Sequence, residues 1–132
     1  MEKLLHSEIT DKILLSFFNV CKELQQNISL ELYKNALEIE FKLNGLEVNK
    51  DYSIEIKYRN QKIGEMNSDF LINDLVFVKL IKEPMIDKKV EDETRFLLKN
   101  SKVELCLILN VFGDTEFKRL IFTNDYKKHE KG

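Results

Sequence analysis

Two short apolar runs, LVFVKLIK at residues 75–82 and VELCLIL at 103–109, constrain the fold of this chain more than any other feature. A strand with one wet face alternates apolar and polar residues. Runs this continuous are covered on both faces, so each belongs in the interior of a sheet. The stretch between them has a helical period instead. Val90, Thr94, Leu97 and Leu98 fall on one side of a helix over Asp87 to about Asn100, most charges fall on the other, and Pro84 ends the first strand. Strand, helix and strand in that order make a right-handed crossover between parallel neighbours. The minimum architecture is a sheet with helices packed against it.

Upstream, the hydrophobic period changes once. From Ser7 to about Gln25, apolar residues at Ile9, Ile13, Phe17, Val20 and Leu24 predict an amphipathic helix with Ser7 as its N-cap. A second helix starts at Ser29, whose hydroxyl caps it, carries the stripe Leu32, Ala36, Ile39 and Leu43, and stops at Gly45, which supplies the left-handed residue. Then Tyr52, Ile54, Ile56 and Tyr58 alternate with Ser53, Glu55 and Lys57, and Arg59-Asn60-Gln61 turns the chain into a strand from about Lys62 to Ile72. Asn73-Asp74 turns it again into the first interior strand. After the second, a turn at Gly113-Asp114 leads to an amphipathic strand over Glu116–Thr123, and the polar Tyr126–Gly132 reads as a frayed tail. The order α, α, β, β, β, α, β, β predicts one α/β domain over residues 1–125, an α+β mixed sheet, with a tail at 126–132.

Composition narrows the function classes. Hydrophobic residues make up 43% and charged residues 33%, which fits neither disorder nor a fibrous class. Twenty-one basic against twenty-three acidic side chains give a formal charge of -2, so nucleic-acid contact requires a local basic patch. No apolar stretch reaches the ~18 residues of a membrane span, and MEKLLHSEITDK lacks the apolar core of a signal peptide. A cytoplasmic protein with no membrane partner is expected. Cys21 and Cys106 lie inside apolar runs and read as free thiols packed like small hydrophobes. Lys-, Asn- and Ile-rich usage points to an A·T-rich, bacterial genome.

Residue patterns then point to a family. LLHSEITDKI, ELYKNALEIEFKLNGLEV, IKYRNQKIGE, SDFLINDLVFVKL and VELCLILNVFGDTEFKRLIF, with YKNAL at 33–37, IGE at 63–65, Asp69 and EFKRLIF at 116–122 as the most specific parts, resemble the GxxExxY group of the PD-(D/E)XK nuclease superfamily. The resemblance implies a restriction-endonuclease-like αβββαβ core, here with an extra N-terminal helix. It also implies a metal site built from a helix Glu, a strand Asp, and the Glu of an E-x-K pair whose Lys lies beside the scissile phosphate. Hard oxygen ligands of that kind hold Mg²⁺, which polarises the phosphoryl oxygen and activates water.

Carried onto this chain, that signature is incomplete. With Tyr33 as the Tyr of GxxExxY, Asn27 stands at the Gly and Leu30 at the Glu. Asp69 stands at the strand Asp. The E-x-K pair falls on Lys79-Leu80-Ile81, an ammonium where a carboxylate belongs and an aliphatic where a lysine belongs. An ammonium about 4 Å from a carboxylate gains ~4 kcal/mol at an effective dielectric near 20, before desolvation is subtracted. Lys79 is therefore expected to pair with Asp69 and take the place of the ion.

Other residues are weighed beside these. Glu65 shares a strand face with Asp69 by the two-residue period and is the candidate second oxygen ligand, or else a hairpin-edge side chain facing water. Glu31 lies one step, ~100° of helix, from the vanished Glu and should point away. Lys82 falls on the opposite strand face from the lost lysine. His6 and His129 read as solvent-facing, and neither cysteine has a paired base. Lys88, Lys89, Arg95, Lys99 and Lys102 alternate with acids and read as a solvated helix face, with a phosphate-contacting patch as the rival reading.

Three functions remain open. One is a catalytically degenerate domain that homo-oligomerises or docks on a protein partner. Another is a nucleic-acid-binding domain in which Lys79 and Lys82 contact phosphate without cleavage. The last is an active nuclease using Asp69 with Glu65 as metal ligands. No cofactor is expected except Mg²⁺ in that last case.

Overall fold

The computed structural model describes residues 5–24, 28–113 and 115–130, with the side chains of 128–130 left aside. Asn27, the expected helix end at Gln25, Asp114 of the expected turn, the side chain of His129 and the final two residues lie outside what is described. The elements run α1 Ser7–Glu23, α2 Leu30–Leu43, β1 Val48–Tyr58, β2 Gln61–Ile72, β3 Val76–Ile81, α3 Lys88–Lys99, β4 Leu105–Asn110, β5 Glu116–Ile121 and α4 Asn124–Glu130.

The five strands form one mixed sheet in sequence order, β1-β2-β3-β4-β5. Neighbours are antiparallel except β3 and β4, which run parallel from Val76↔Leu105 to Ile81↔Asn110. These are the two apolar runs, and their burial on both faces is as predicted: every β4 residue is buried, as is every β3 residue except Lys79. Alternate side chains supply two cores. Phe70, Ile72, Val76, Val78, Leu105, Leu107 and Leu109 meet α1 and α2 on one face. Leu71, Phe77, Ile81, Cys106, Ile108 and Leu120 meet Leu97 and Leu98 of α3 on the other. The result is a sheet between two helical layers.

Local chemistry explains the element ends, with three corrections. The α1 N-cap is His6, in the left-handed region at φ 54 and without a side-chain cap, whereas Ser7 is already helical and its carbonyl accepts from the Thr10 hydroxyl at 3.2 Å. Ser29 does cap α2, accepting the Leu32 N–H at 3.4 Å, and Asp87 caps α3, accepting the Val90 N–H at 3.0 Å. Gly45, at φ +79, closes α2 as expected: its N–H reaches the Lys42 carbonyl and the Leu46 N–H reaches the Phe41 carbonyl, both at 3.0 Å.

The second correction concerns which stripe of α2 is inward. Tyr33, Leu37 and Phe41 are buried, while Leu32, Ile39 and Leu43 stay exposed. Both stripes are apolar, so periodicity alone does not choose between them. The aromatic pair Phe41 and Phe70, edge to face at 5.1 Å, shows which one the sheet selected. The third correction is the tail, whose residues 124–130 form α4. The Lys127 ammonium is buried and donates to the carbonyls of Ser101 at 2.9 Å and Val103 at 2.7 Å, while Tyr126 packs edge to face on Phe122. No apolar stripe announces that helix; it is anchored on the α3–β4 loop by charge.

Candidate functional site

The site forms where β2 leaves β3. Their ladder ends at Phe70↔Val78, and the next β2 residue outward is Asp69. Its carboxylate takes over from the backbone there: Asp69 Oδ2 accepts the N–H of Leu80 at 2.6 Å. Behind it Ser68, buried, donates its hydroxyl to the carbonyls of Phe70 and Val78. Strand β1 contributes from the other side. Its register with β2 passes from Lys50↔Phe70 to Tyr52↔Ser68, and Asp51, between them, is left-handed at φ 57.

Lys34 of α2 joins the two acids. Its ammonium donates to Asp51 Oδ1 and lies 3.3 Å from Asp69 Oδ1, and its side chain is only 13% exposed. Burial lowers the Lys34 pKa, but the hydrogen bond to Asp51 and the charge of Asp69 outweigh it, so the net shift is upward. The hydrogen bond from Lys34 holds the exposed Asp51 carboxyl below the usual carboxylate range. One cation thus bridges two carboxylates at the strand divergence.

The sequence-predicted residues are only partly brought together. Asp69 sits at the centre. Lys79 does not pair with it; the Lys79 ammonium lies 3.8 Å from Glu93 Oε2 of α3. The expected Lys79–Asp69 bridge is therefore replaced by Lys34–Asp69, because α3 offers Lys79 its own carboxylate and α2 delivers another ammonium to the aspartate. Glu65 accepts from Lys62 at 2.8 Å and from Ser53 at 3.2 Å on the β1–β2 hairpin, about 13 Å of strand from Asp69. Lys82 donates to the Ile28 carbonyl at 3.1 Å, tying the start of α2 to the end of β3. Tyr33 is buried in the core beneath α2. Glu31 is well exposed and lies 4.0 Å from Lys50.

Lys34 and Asp51 are the residues that sequence reasoning missed. A signal for Lys34 was present: it lies one helical turn beyond Leu30, on the same face as the position where the resemblance implies a Glu. For Asp51 the signal was weaker, a lone acid just before the alternation of β1 begins.

The remaining titratable groups point elsewhere. Burial pushes the Cys106 thiol up to about 12, with the Lys79 charge lowering and the Asp69 charge raising it, and burial pushes Cys21 up to about 11. Neither is a nucleophile at neutral pH. On α3, Lys88 pairs with Asp92 at 2.8 Å and Arg95 lies 3.6 Å from both Glu91 and Asp92, the solvated face that the charge pattern predicted.

For a divalent ion the donor set is poor. Mg²⁺ prefers six oxygen ligands in near-ideal octahedral geometry, and here an ammonium stands between two carboxylates while the second oxygen of Asp69 is engaged by a backbone N–H. Among the described residues no three His, Cys, Asp or Glu side chains come together as metal ligands.

A mixed sheet with a parallel β3–α3–β4 crossover, flanked by helices and carrying an acid at the β2/β3 divergence, has the restriction-endonuclease-like form. The family model of the PD-(D/E)XK nuclease superfamily matches residues 7–120, and the chain belongs to that superfamily. No curated protein and no solved structure matches it significantly. Among the described residues no helix is long and apolar enough to cross a membrane.

Proposed function

We propose that this chain is a divergent GxxExxY-type domain whose metal-dependent chemistry has been replaced by an ionic bridge, and that it acts as a protein-interaction and assembly module. The observation that carries this reading is the position of Lys34, with its ammonium 3.3 Å from the one surviving strand aspartate and also bonded to Asp51. A fixed internal cation puts positive charge beside the carboxylate where a bound Mg²⁺ would otherwise lie, and it has no coordination position with which to activate water.

The choice of assembly over nucleic-acid binding rests on the lysines. Lys79 is turned to Glu93 and Lys82 to a backbone carbonyl, so both cations offered for phosphate already have partners, and the net charge is -2. Manganese binding and magnesium-dependent cleavage test the reading together. Wild-type protein should show no Mn²⁺ bound at Asp69 by calorimetry or electron paramagnetic resonance, and no nicking of plasmid or cleavage of RNA in Mg²⁺. Cleavage that disappears in Asp69→Ala would overturn it in favour of an active nuclease, with Glu65 the first acid to examine as a second ligand. Retention of a short duplex with an affinity that falls linearly in log salt would overturn the assembly half in favour of nucleic-acid binding.

A further inference from the structure

Helix α2 carries two apolar stripes, and among the described residues only one is buried against the sheet. The inward stripe is Tyr33, Leu37 and Phe41. The outward one is Leu32, Ala36, Ile39 and Leu43, with Leu32 54%, Ile39 62% and Leu43 74% exposed. Their spacing of four, three and four residues is the alternating a/d spacing of a short coiled-coil seam. Isolated exposed aliphatics need no explanation, but three of them on one line of one helix do.

We propose that this seam pairs with the same seam of a second copy of the chain, antiparallel and about a two-fold axis. Two observations select that occupant. First, the surface is complementary to itself in shape. Ala36 opens a groove of about 170 Å³ between α1 and α2, bordered by Asn19, Val20, Glu23, Leu24 and Glu40, next to the projecting Ile39. Apolar cavities of about 150 Å³ accept a benzene ring, so this one has room for an isoleucine side chain. In an antiparallel pair Leu32 lies opposite the second copy's Leu43, and Ala36 lies opposite its Ile39. Each copy then contributes one knob and one hole, as an isologous contact requires.

Second, the charges choose the direction. Glu31 flanks one end of the seam and Lys42 the other, both largely exposed, and their present partners, Lys50 at 4.0 Å and Glu38 at 3.3 Å, are surface pairs. Antiparallel packing brings Glu31 of each copy towards Lys42 of the other and opposes the helix dipoles. Parallel packing would place like charges at both ends. A chemically different partner would have to reproduce this pattern of small and large residues and of charge, which the chain itself already supplies.

This inference gives the assembly half of the proposed function a specific surface and does not depend on the ionic bridge. Its test leaves the metal titration untouched, so either can fail alone. The experiment is sedimentation equilibrium of the full chain over a concentration series, with thermal melts of every variant as a folding control. Wild type should show a reversible monomer–dimer equilibrium. Ile39→Glu, at an exposed position, should melt like wild type and raise the dimer dissociation constant at least ~30-fold. Lys42→Glu should weaken the dimer several-fold, and adding Glu31→Lys should restore it. A wild-type chain that stays monomeric to the highest concentration, or a dimer that a folded Ile39→Glu leaves intact, overturns the proposal. A dimer that Ile39→Glu abolishes, but that Glu31→Lys does not restore in the Lys42→Glu background, overturns its antiparallel arrangement.

Discussion

The two apolar stripes of α2 differ little in composition and wholly in fate. Tyr33, Leu37 and Phe41 vanish into the core against β2 and β3, whereas Leu32, Ile39 and Leu43 remain at the surface. Along the edge between them runs Lys34, which bridges Asp51 and Asp69. One helix therefore holds the fold together with its first line of residues, sets the electrostatics of the site with a residue beside that line, and leaves the other line at the surface. Helical periodicity reports that a face is apolar; it does not report which apolar face the sheet takes.

Substitutions along that helix break or sharpen the comparison, and their effects fall in order. Phe41→Ala should cost about 3–5 kcal/mol in urea unfolding, because it removes a fully buried ring stacked edge to face on Phe70 and leaves a cavity. A loss below about 1 kcal/mol would mean that the inward stripe is not the one seen here.

Lys34→Ala should cost about 1–3 kcal/mol, since it strips two facing carboxylates of their shared donor and leaves Asp69 part-buried without its cation. The same variant should bind Mn²⁺ more tightly than wild type, because the ammonium no longer competes for the carboxylate oxygens. Indifference of both stability and metal affinity to this change would remove Lys34 from the centre of the site.

The pH dependence of the bridge follows from the two shifts. The Lys34 pKa is raised, so its stabilisation is complete below the ordinary lysine value and is lost as pH rises through the higher folded-state value. The Asp51 pKa is depressed, so its stabilisation is present above the ordinary carboxylate value and is lost as pH falls through the lower folded-state value. Wild type minus Lys34→Ala should thus show a stability difference that is flat across the neutral range and declines at both extremes. The smallest effect belongs to the exposed stripe: Ile39→Ala should change the stability of the monomer by no more than about 0.5 kcal/mol at dilute concentration.

The site was half legible in the sequence. Asp69 could be placed because the family resemblance puts an aspartate there, ahead of the apolar FLI of β2. The sign change at Lys79 was legible too. Its partner was not, because Glu93 lies on α3, and nothing within either segment says how far that helix leans over the strand. Lys34 and Asp51 escaped notice for the same reason. They come from α2 and β1, and only the packing of α2 across the sheet carries an ammonium to the point where β1, β2 and β3 part.

The sequence by itself determined the order of elements through β5, the interior place of β3 and β4, the turns at Arg59-Asn60 and Asn73-Asp74, and the Ser29 and Gly45 helix ends. All of these are written in short stretches where period, capping chemistry and turn residues act over a few neighbours. Only the tertiary structure decided which face of α2 is buried, which cation answers Asp69, and that the polar residues 124–130 form a helix through the contacts of Lys127. Those outcomes depend on competition between groups distant in sequence, where burial and charge are settled by the neighbours the fold supplies.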